Sequence, residues 1–517
     1  MSASALAVPA AFLKQRRPIE IAAWRRLALS DSTLLGVTVT LFFSGVGAWQ
    51  ALVLHQAVGD ALSRTYSAMA VLYSHQPHLA AVGFDWPPLP ALAQLPLLRI
   101  APGLAFFGLS GDLVSAISAG LVAVILLGLL RRLQIGRWCS ILLVLVLFAN
   151  PMMAVYAADG MSEMPFLLFL VLACDRFLAW TETGRWQYLG IAGVACAGSF
   201  LCRYDGAVVT VLMAAAVLPV MHFSKRDFFP PKVEANLLAF LAPVAYTGML
   251  WLFFNKLIMG QPLYFMHSRY VIFQTQPQPD VQQLQQSLVA TLRYFLVTVG
   301  SFSPLFAACC VVALAISVWR RDAILAGLLA ILLAAPLFQL EYYRAGITFA
   351  DPRYWISVIP SGLILGAYLL GQWDIHNGVR ITLLVATLLA GSAITARTLI
   401  QINEPSTGPI GVAALFAGVL PPAVDKRSLL EDELRAAQYL DLHAVGRTIL
   451  ADSAGSDVAM LSGHMDRFFL LSDDDWRKVA LQPIGRAKYI VALRGFTGYH
   501  DFLDLYPNLY EQGTPFT

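Results

Sequence analysis

Phe84-Asp85-Trp86-Pro87-Pro88-Leu89 lies in the first long loop of the chain, and Gly59-Asp60 comes earlier in the same loop. An acidic residue soon after the first apolar segment, followed by an aromatic residue and Pro-Pro-Leu, is an uncommon arrangement. The loop, residues 55–110, is too long for a simple connector, and apolar and small residues at helical spacing over 59–72 predict an interfacial helix. These residues predict chemistry at a membrane surface, with Asp60 as the first candidate.

The composition indicates a polytopic α-helical membrane protein. Hydrophobic residues make up 58% and charged residues 13% of the 517 residues, whereas about a quarter of the residues of a soluble protein are charged. The mean hydropathy is +0.66. A net charge of +3 and scattered basic residues give no sign of a nucleic-acid partner. The cysteines all lie in apolar stretches and are interpreted as packing residues.

Apolar segments of bilayer length predict about eleven transmembrane helices, because a helix needs about 20 apolar residues to cross the hydrocarbon core. The first apolar run is not followed by a small-residue cleavage site, so it is interpreted as a signal anchor. The predicted spans are 32–54, 111–130, 138–157, 164–180, 187–202, 206–222, 236–255, 297–319, 323–340, 354–371 and 379–400.

The distribution of Lys and Arg predicts that the N-terminal segment, residues 1–31, is cytoplasmic. Basic residues precede the first span and recur in every second connection, as at 131–132, 225–226 and 320–321. The expected location is the bacterial cytoplasmic (inner) membrane. With an odd number of spans, the chain after residue 400 lies outside, as do the loops 55–110, 158–163, 203–205, 256–296 and 341–353.

Acidic residues and arginines gather on this predicted outer side. Ionisable groups near a membrane tend to mark functional sites, so a clustered pocket is the functional interpretation. A hydrated surface is the alternative for any single residue. The acidic members are Asp60, Asp85, Asp159, Glu163, Asp205, Glu341 and Asp351, and the arginines are Arg203, Arg269, Arg344 and Arg353.

These motifs resemble the outer loops of the GT-C superfamily of membrane glycosyltransferases, which includes protein O-mannosyltransferases and the bacterial lipid A aminoarabinose transferase. In that family an acidic residue follows the first span and Pro-Pro-Leu comes later in the same loop, as in residues 59–60 and 84–89. Residues 159–165, 203–206 and 353–354 are similar to further motifs of the family. The resemblance makes residues 32–400 a GT-C-like transmembrane glycosyltransferase domain.

The resemblance implies inverting transfer of a sugar from a polyprenyl-phosphate donor to an extracytoplasmic acceptor, which is a cell-envelope glycan, lipid or protein. Displacement at an anomeric carbon needs a base for the acceptor hydroxyl, and Asp60 is the candidate. The phosphate leaving group needs cations rather than an acid. The predicted donor-phosphate ligands are Arg203, Arg269, Arg344 and Arg353.

Three carboxylates are assigned to acceptor binding or to support of the base. They are Asp85, Asp159 and Glu163, of which the last two are four residues apart and share a face on a helix. Capping of the following span by these acidic residues is the alternative interpretation.

Loop 256–296 is expected to cover the donor. Tyr264, His267 and Tyr270 lie in its aromatic-rich part, and the Gln- and Pro-rich stretch 274–286 reads as a mobile lid. One His and dispersed acids do not make a recognisable metal site, so cofactors are left open and a divalent metal is not indicated. In many family members a second acidic residue stands at the position of Ala61 and a His at that of Trp86, which leaves metal dependence open.

The composition changes after residue 400. Prolines punctuate a linker, and charged residues become frequent from Asp425 on. A helical pattern over 431–440 and short apolar runs at 448–451 and 489–493 predict a small α/β domain within 401–517, outside the membrane. Its expected role is acceptor binding or stability of the outer face.

A lipid-linked saccharide transporter or flippase is the alternative function. Such a protein would carry charges within its spans and show internal repeats or broken helices. The sequence shows no clear repeat, and its charges collect at one face.

Overall fold

The computed structural model describes residues 21–55, 57, 59–223, 230–267, 279–348, 351–373, 375–402, 430–452, 455–492, 502, 505 and 506. Several predicted features lie outside these residues: most of the N-terminal segment, the linker 403–429, and residues 268–278 with Arg269 and Tyr270.

The described chain up to residue 402 is helical. Its α-helices are α1 (Ile21–Leu52), α2 (Gly59–Tyr73), α3 (Leu89–Leu92), α4 (Leu95–Ile100), α5 (Leu109–Arg132), α6 (Arg137–Phe148), α7 (Pro151–Tyr156), α8 (Glu163–Thr183), α9 (Trp186–Cys202), α10 (Asp205–Phe223), α11 (Pro230–Met259), α12 (Pro279–Gln286), α13 (Leu288–Phe302), α14 (Pro304–Arg320), α15 (Ala323–Arg344), α16 (Val358–Gly371) and α17 (Asn377–Ile402). Short 3-10 turns occur at Leu79–Val82, Pro102–Gly108, Tyr264–Met266 and Pro352–Trp355.

Within the described residues, eight helices are long and apolar enough to cross a membrane, and five shorter apolar helices accompany them. The chain is therefore a multi-pass helical membrane protein, as predicted. The predicted number of about eleven spans is not confirmed by helix length.

Two predicted spans are broken by proline. The span 138–157 is divided into α6 and α7 at Pro151, and the side chain of Asn150 caps α7 by accepting from the Met152 N–H. The span 297–319 is divided into α13 and α14 at Pro304, where Ser303 accepts from the Phe306 N–H. Proline lacks an N–H and favours the first turn of a helix, so each prediction merged two helices.

Close contact between α1 and α5 fixes the ends of the first loop. A Cβ added at Gly120 would lie 2.1 Å from Thr40 Oγ1 and 2.6 Å from the carbonyl oxygen of Gly36. Only a residue without a side chain allows the two backbones to approach so closely, as is common between membrane helices. The loop that carries Asp60 thus begins and ends on one tightly packed helix pair.

Charged side chains pair at both ends of the bundle. At one end, Asp31 contacts Arg131 and Arg137, and Arg132 contacts Asp175 and Glu182. The other end carries loop 55–110 and is called the loop end below. The arginines predicted to be cytoplasmic and the charged residues predicted to lie outside are therefore at opposite ends of the bundle.

Residues 430–506 contain a small parallel sheet with flanking helices. Strands β1 (Ile449–Ala451), β2 (Phe468–Phe469) and β3 (Tyr489–Val491) have the order β2-β1-β3. The helices are α18 (Glu431–His443), α19 (Ser456–Leu461) and α20 (Trp476–Leu481). The predicted helix and two strands are present, whereas β2 was missed because it has only two residues. That this segment is a separate domain stays a prediction.

This C-terminal unit packs on the first loop. One buried apolar cluster contains Leu62 and Ala70 of α2 together with Leu440, Ile449 and Phe468. The helix that carries Asp60 is therefore held on one side by residues nearly 400 positions away, as in the hydrogen bond from the Asp474 N–H to Gln76 Oε1, 398 positions apart.

Asp457 makes the stability of this contact depend on pH. Burial, together with Glu433, raises the pKa of Asp457 to about 7 from its ordinary 3.8. The folded state therefore holds this proton more tightly, and stability falls as pH rises from about 4 to about 7. Asp457→Asn should raise the melting temperature at about pH 8 and change it little at about pH 4. Thermal unfolding of purified protein in detergent measures both, with the exposed Asp466→Asn as control; an equal effect at both pH values would contradict this expectation.

Candidate active site

A cavity at the loop end brings together residues from seven separate parts of the chain. Its walls come from α2, the 84–89 segment, the start of α8, the α9–α10 junction, the turn at Tyr264–Met266, the end of α15 with the residues that follow it, and the turn at Pro352–Trp355. The charged or amide side chains that line it are Asp60, Arg64, Asp85, Glu163, Arg203, Asp205, Gln339 and Arg353.

Asp60 forms an ion pair with Arg353. Arg353 Nη1 donates to Asp60 Oδ2 at 2.6 Å, and the Asp60 side chain is 26% exposed. Arg353 is fixed from two further sides, because its Nε lies 3.3 Å from Asp351 Oδ2 and its guanidinium stands over the Tyr354 ring. Asp351 also caps the turn at Pro352–Trp355 by accepting from the Arg353 N–H.

The charge state of Asp60 follows from these contacts. Burial opposes ionisation of this carboxyl, but the positive charges of Arg353 and Arg64 outweigh burial and lower its pKa. Asp60 is therefore a carboxylate at neutral pH and accepts protons weakly while Arg353 holds it.

Arg203 lies between two buried carboxylates. It donates to Glu163 Oε1 at 2.6 Å and to Asp205 Oδ2 at 2.9 Å. Gln339 donates a short hydrogen bond to the other oxygen of Asp205. Because Glu163 is fully buried, its charge depends on Arg203 for compensation.

Arg64 is a site residue that the sequence analysis missed. It lies four residues after Asp60 in α2 and donates to the Asp60 carbonyl oxygen at 2.9 Å. Its guanidinium stands over the Trp86 ring at 4.9 Å. The sequence contains a sign of this role, because residues four positions apart lie on one face of a helix. The segment was interpreted only as an interfacial helix.

Aromatic side chains form much of the remaining wall. Tyr204 stacks on Phe265 with ring centroids 4.8 Å apart, and its hydroxyl donates to the carbonyl oxygen of Asp85. Tyr342 and Trp86 also line the cavity. These aromatic rings present apolar surface beside the charged side chains of the cavity. The combination suits a ligand with an apolar part and a charged part.

The structure gathers five of the predicted site residues around the cavity, and among the described residues Asp159, Tyr264, His267 and Arg344 do not line it. The five are Asp60, Asp85, Glu163, Arg203 and Arg353. Their catalytic and binding roles stay predictions, as do those of the residues outside the cavity.

Asp159 lies behind the cavity wall. It is 7% exposed, and its Oδ1 accepts from the Met161 N–H at 3.1 Å. Burial, together with Glu163, raises its pKa well above the ordinary value. Asp159 is therefore suited to hold the Met161 turn rather than to act as a free carboxylate.

The remaining predicted ligands lie away from the cavity or outside the described residues. Arg344 pairs with Glu341 on an exposed face of α15. Tyr264 belongs to the turn whose Phe265 lines the cavity, and His267 is exposed, with Nδ1 close to the Leu263 carbonyl oxygen. Within the described ranges, no group of three or more His, Cys, Asp or Glu side chains is placed to hold a metal ion.

Comparison with known proteins agrees with this architecture. The crystal structure of ArnT from Cupriavidus metallidurans bound to undecaprenyl phosphate matches with a TM-score of 0.53 and 15% identity, over 95% of this chain and 92% of that chain. Residues 87–251 match the family of dolichyl-phosphate-mannose-protein mannosyltransferases. The chain shares the fold of ArnT. The resemblance predicted from the loop motifs is thereby confirmed.

Other matches are similar or weaker. ArnT from the same organism in the apo state has a TM-score of 0.53 and 14% identity, over 94% of this chain and 92% of that chain. An oligosaccharyltransferase from Archaeoglobus fulgidus has a TM-score of 0.42 and 12% identity, over 86% of this chain and 62% of that chain. A search of curated protein sequences finds no match.

Removing Arg203 should destabilise the protein. Arg203→Ala leaves Glu163 and Asp205 buried without a counter-charge, at a cost of about 3–5 kcal/mol. Arg344→Ala is the matched control, because its partner Glu341 is exposed and keeps its hydration. The melting temperature in detergent should fall clearly for Arg203→Ala and stay unchanged for Arg344→Ala; equal effects would show that the buried network does not hold the loop end together.

Proposed function

We propose that this protein is a membrane glycosyltransferase that moves a sugar from a polyprenyl-phosphate donor to an acceptor on the outer side of the bacterial inner membrane. The observation that carries the proposal is the Asp60–Arg353 pair, which places a carboxylate and a guanidinium at one cavity. The match to a mannosyltransferase family and the fold shared with a lipid-phosphate-bound ArnT support it.

Arginine side chains would hold the donor phosphate. A guanidinium offers two parallel N–H groups to phosphate oxygens, and a water-poor cavity strengthens such bonds. As the bond to the anomeric carbon breaks, negative charge grows on the phosphate, and fixed cations stabilise that charge more in the transition state than in the ground state. No protonated acid is required for this leaving group.

Asp60 would take the proton of the acceptor hydroxyl. Arg353 lowers the basicity of this carboxylate. A donor phosphate that accepts from Arg353 would weaken the hold of Arg353 on Asp60, and the proton affinity of Asp60 would rise toward its ordinary value. The base would thus become competent when the donor is in place. Attack from the face opposite the phosphate gives inversion at the anomeric carbon.

The supporting residues are proposed to keep this geometry. Glu163 holds Arg203, and Asp85 lines the cavity beside Tyr204. The C-terminal unit packs on α2 and is proposed to stabilise the outer face or to bind the acceptor. The ion pairs of the described helices lie at the two ends of the bundle and not within its spans, which favours the transferase over the flippase alternative even though two predicted spans are broken by proline.

Asp60→Asn should abolish transfer while donor binding remains. The amide keeps the shape of the carboxylate but accepts no proton, so turnover should fall by about 100-fold or more. The measurement is release of polyprenyl phosphate from a panel of polyprenyl-phosphate sugars by purified protein in lipid nanodiscs. Glu182→Gln, an equivalent change at the opposite end of the bundle, is the control. Turnover by Asp60→Asn near the wild-type rate would exclude Asp60 as the base.

The activity should also depend on Asp351. Burial raises the pKa of Asp351 to about 6, although Arg353 opposes the shift. Asp351 is therefore ionised above about pH 6, and below it Arg353 loses one of its two carboxylate partners. We expect turnover to fall as pH drops through about 6. Asp351→Asn keeps the capping oxygen and should remove this inflection at a lower overall rate; an unchanged pH profile would contradict the role given to Asp351.

A further inference from the structure

Arg64 differs from the other two guanidinium groups of the cavity. Arg203 lies between Glu163 and Asp205, and Arg353 lies between Asp60 and Asp351. Among the described residues, no carboxylate oxygen lies within salt-bridge distance of Arg64. Its positive charge at the cavity wall is therefore not neutralised by direct contact.

Arg64 is buried, so the lack of a carboxylate in direct contact raises the free-energy cost of its charge. Arg64 is only 8% exposed, and its Nε has no hydrogen-bond partner in the described part of the chain. Its other nitrogens reach neutral groups: the Asp60 carbonyl oxygen at 2.9 Å, Met161 Sδ at 3.7 Å and Ser162 Oγ at 3.4 Å. The carboxylate of Asp60 interacts with Arg64 only through space, so within the described chain the buried guanidinium makes no hydrogen bond to a charged acceptor, and an anionic ligand in the cavity would supply one.

Neighbouring groups fix the position of the Arg64 guanidinium. The Trp86 ring lies against the guanidinium at 4.9 Å from its centroid, and Nη1 is fixed by its hydrogen bond to the Asp60 carbonyl oxygen. A guanidinium fixed in this way loses little freedom when it binds a phosphate with two parallel hydrogen bonds.

We propose that Arg64 is a direct ligand of the donor phosphate. This inference rests on the proposed function and deepens it, because it assigns the first contact of the phosphate to the cation that has no carboxylate partner. Arg203 and Arg353 would have to exchange carboxylate bonds for phosphate bonds, whereas Arg64 would gain them without loss. Because Arg64 lies one helical turn from Asp60, a phosphate bound there lies beside the base.

Arg64→Met tests the proposal without orphaning a carboxylate. Methionine fills similar space against Trp86 and carries no charge, so the empty protein should keep its melting temperature. The affinity for undecaprenyl phosphate should fall about 10- to 100-fold, as expected for the loss of hydrogen bonds to a charged group. The measurements are thermal unfolding of the empty protein and the upward shift of the melting temperature on titration with undecaprenyl phosphate. Arg99→Met, at an exposed position of the same loop, is the matched control and should keep the wild-type shift.

The outcomes separate the two proposals. If wild-type protein neither binds undecaprenyl phosphate nor releases it from any sugar donor, the proposed function fails. If wild-type protein binds and Arg64→Met binds equally well, the role of Arg64 fails while the proposed function stands. A lowered melting temperature of empty Arg64→Met with unchanged lipid affinity would assign Arg64 to stability alone and overturn the inference. Arg64→Gln gives a second neutral variant if Arg64→Met does not fold.

Discussion

The ion pair between Asp60 and Arg353 is the contact on which the loop end depends. It joins residues 293 positions apart, one in the first helix of the long loop and one in the turn before the penultimate described membrane helix. Arg353 is the more buried partner, at 11% exposed against 26% for Asp60, so its charge depends on the neighbouring carboxylates for compensation. The pair therefore joins the first loop to the late helices and places opposite charges at the cavity.

The surrounding residues extend this constraint. Asp351 turns the chain so that Arg353 faces the cavity, and Tyr354 holds its guanidinium plane. Arg203 repeats the pattern with Glu163 and Asp205. Among the described residues, two paired arginines and one arginine without a carboxylate in direct contact stand at fixed positions in the cavity wall, which they share with four carboxylates. Fixed charges of this kind favour a phosphate more strongly than solvated ones, because little reorganisation is needed on binding.

The sequence predicted site residues that can be recognised by the side of the membrane on which they lie. It missed the residue whose position depends on packing against another side chain. The positive-inside pattern placed Asp60, Arg203 and Arg353 on one side of the membrane, and the cavity brings them together. Arg64 was missed because what distinguishes it is burial against Trp86. The spacing of residues in the sequence does not reveal that contact. Arg344 lies on the same predicted side of the membrane as Asp60, Arg203 and Arg353. On α15, however, it pairs with Glu341 on an exposed face. Helix breaks at Pro151 and Pro304 were hidden within continuous apolar runs.

The most direct test is a cryo-electron microscopy structure of the protein in nanodiscs with undecaprenyl phosphate. The account predicts density for the phosphate within hydrogen-bond distance of the guanidinium groups of the cavity, with the Asp60–Arg353 contact lengthened and the isoprenoid chain leaving along the aromatic wall. A lipid phosphate bound elsewhere, with the Asp60–Arg353 pair unchanged and the cavity filled only by solvent, would contradict it.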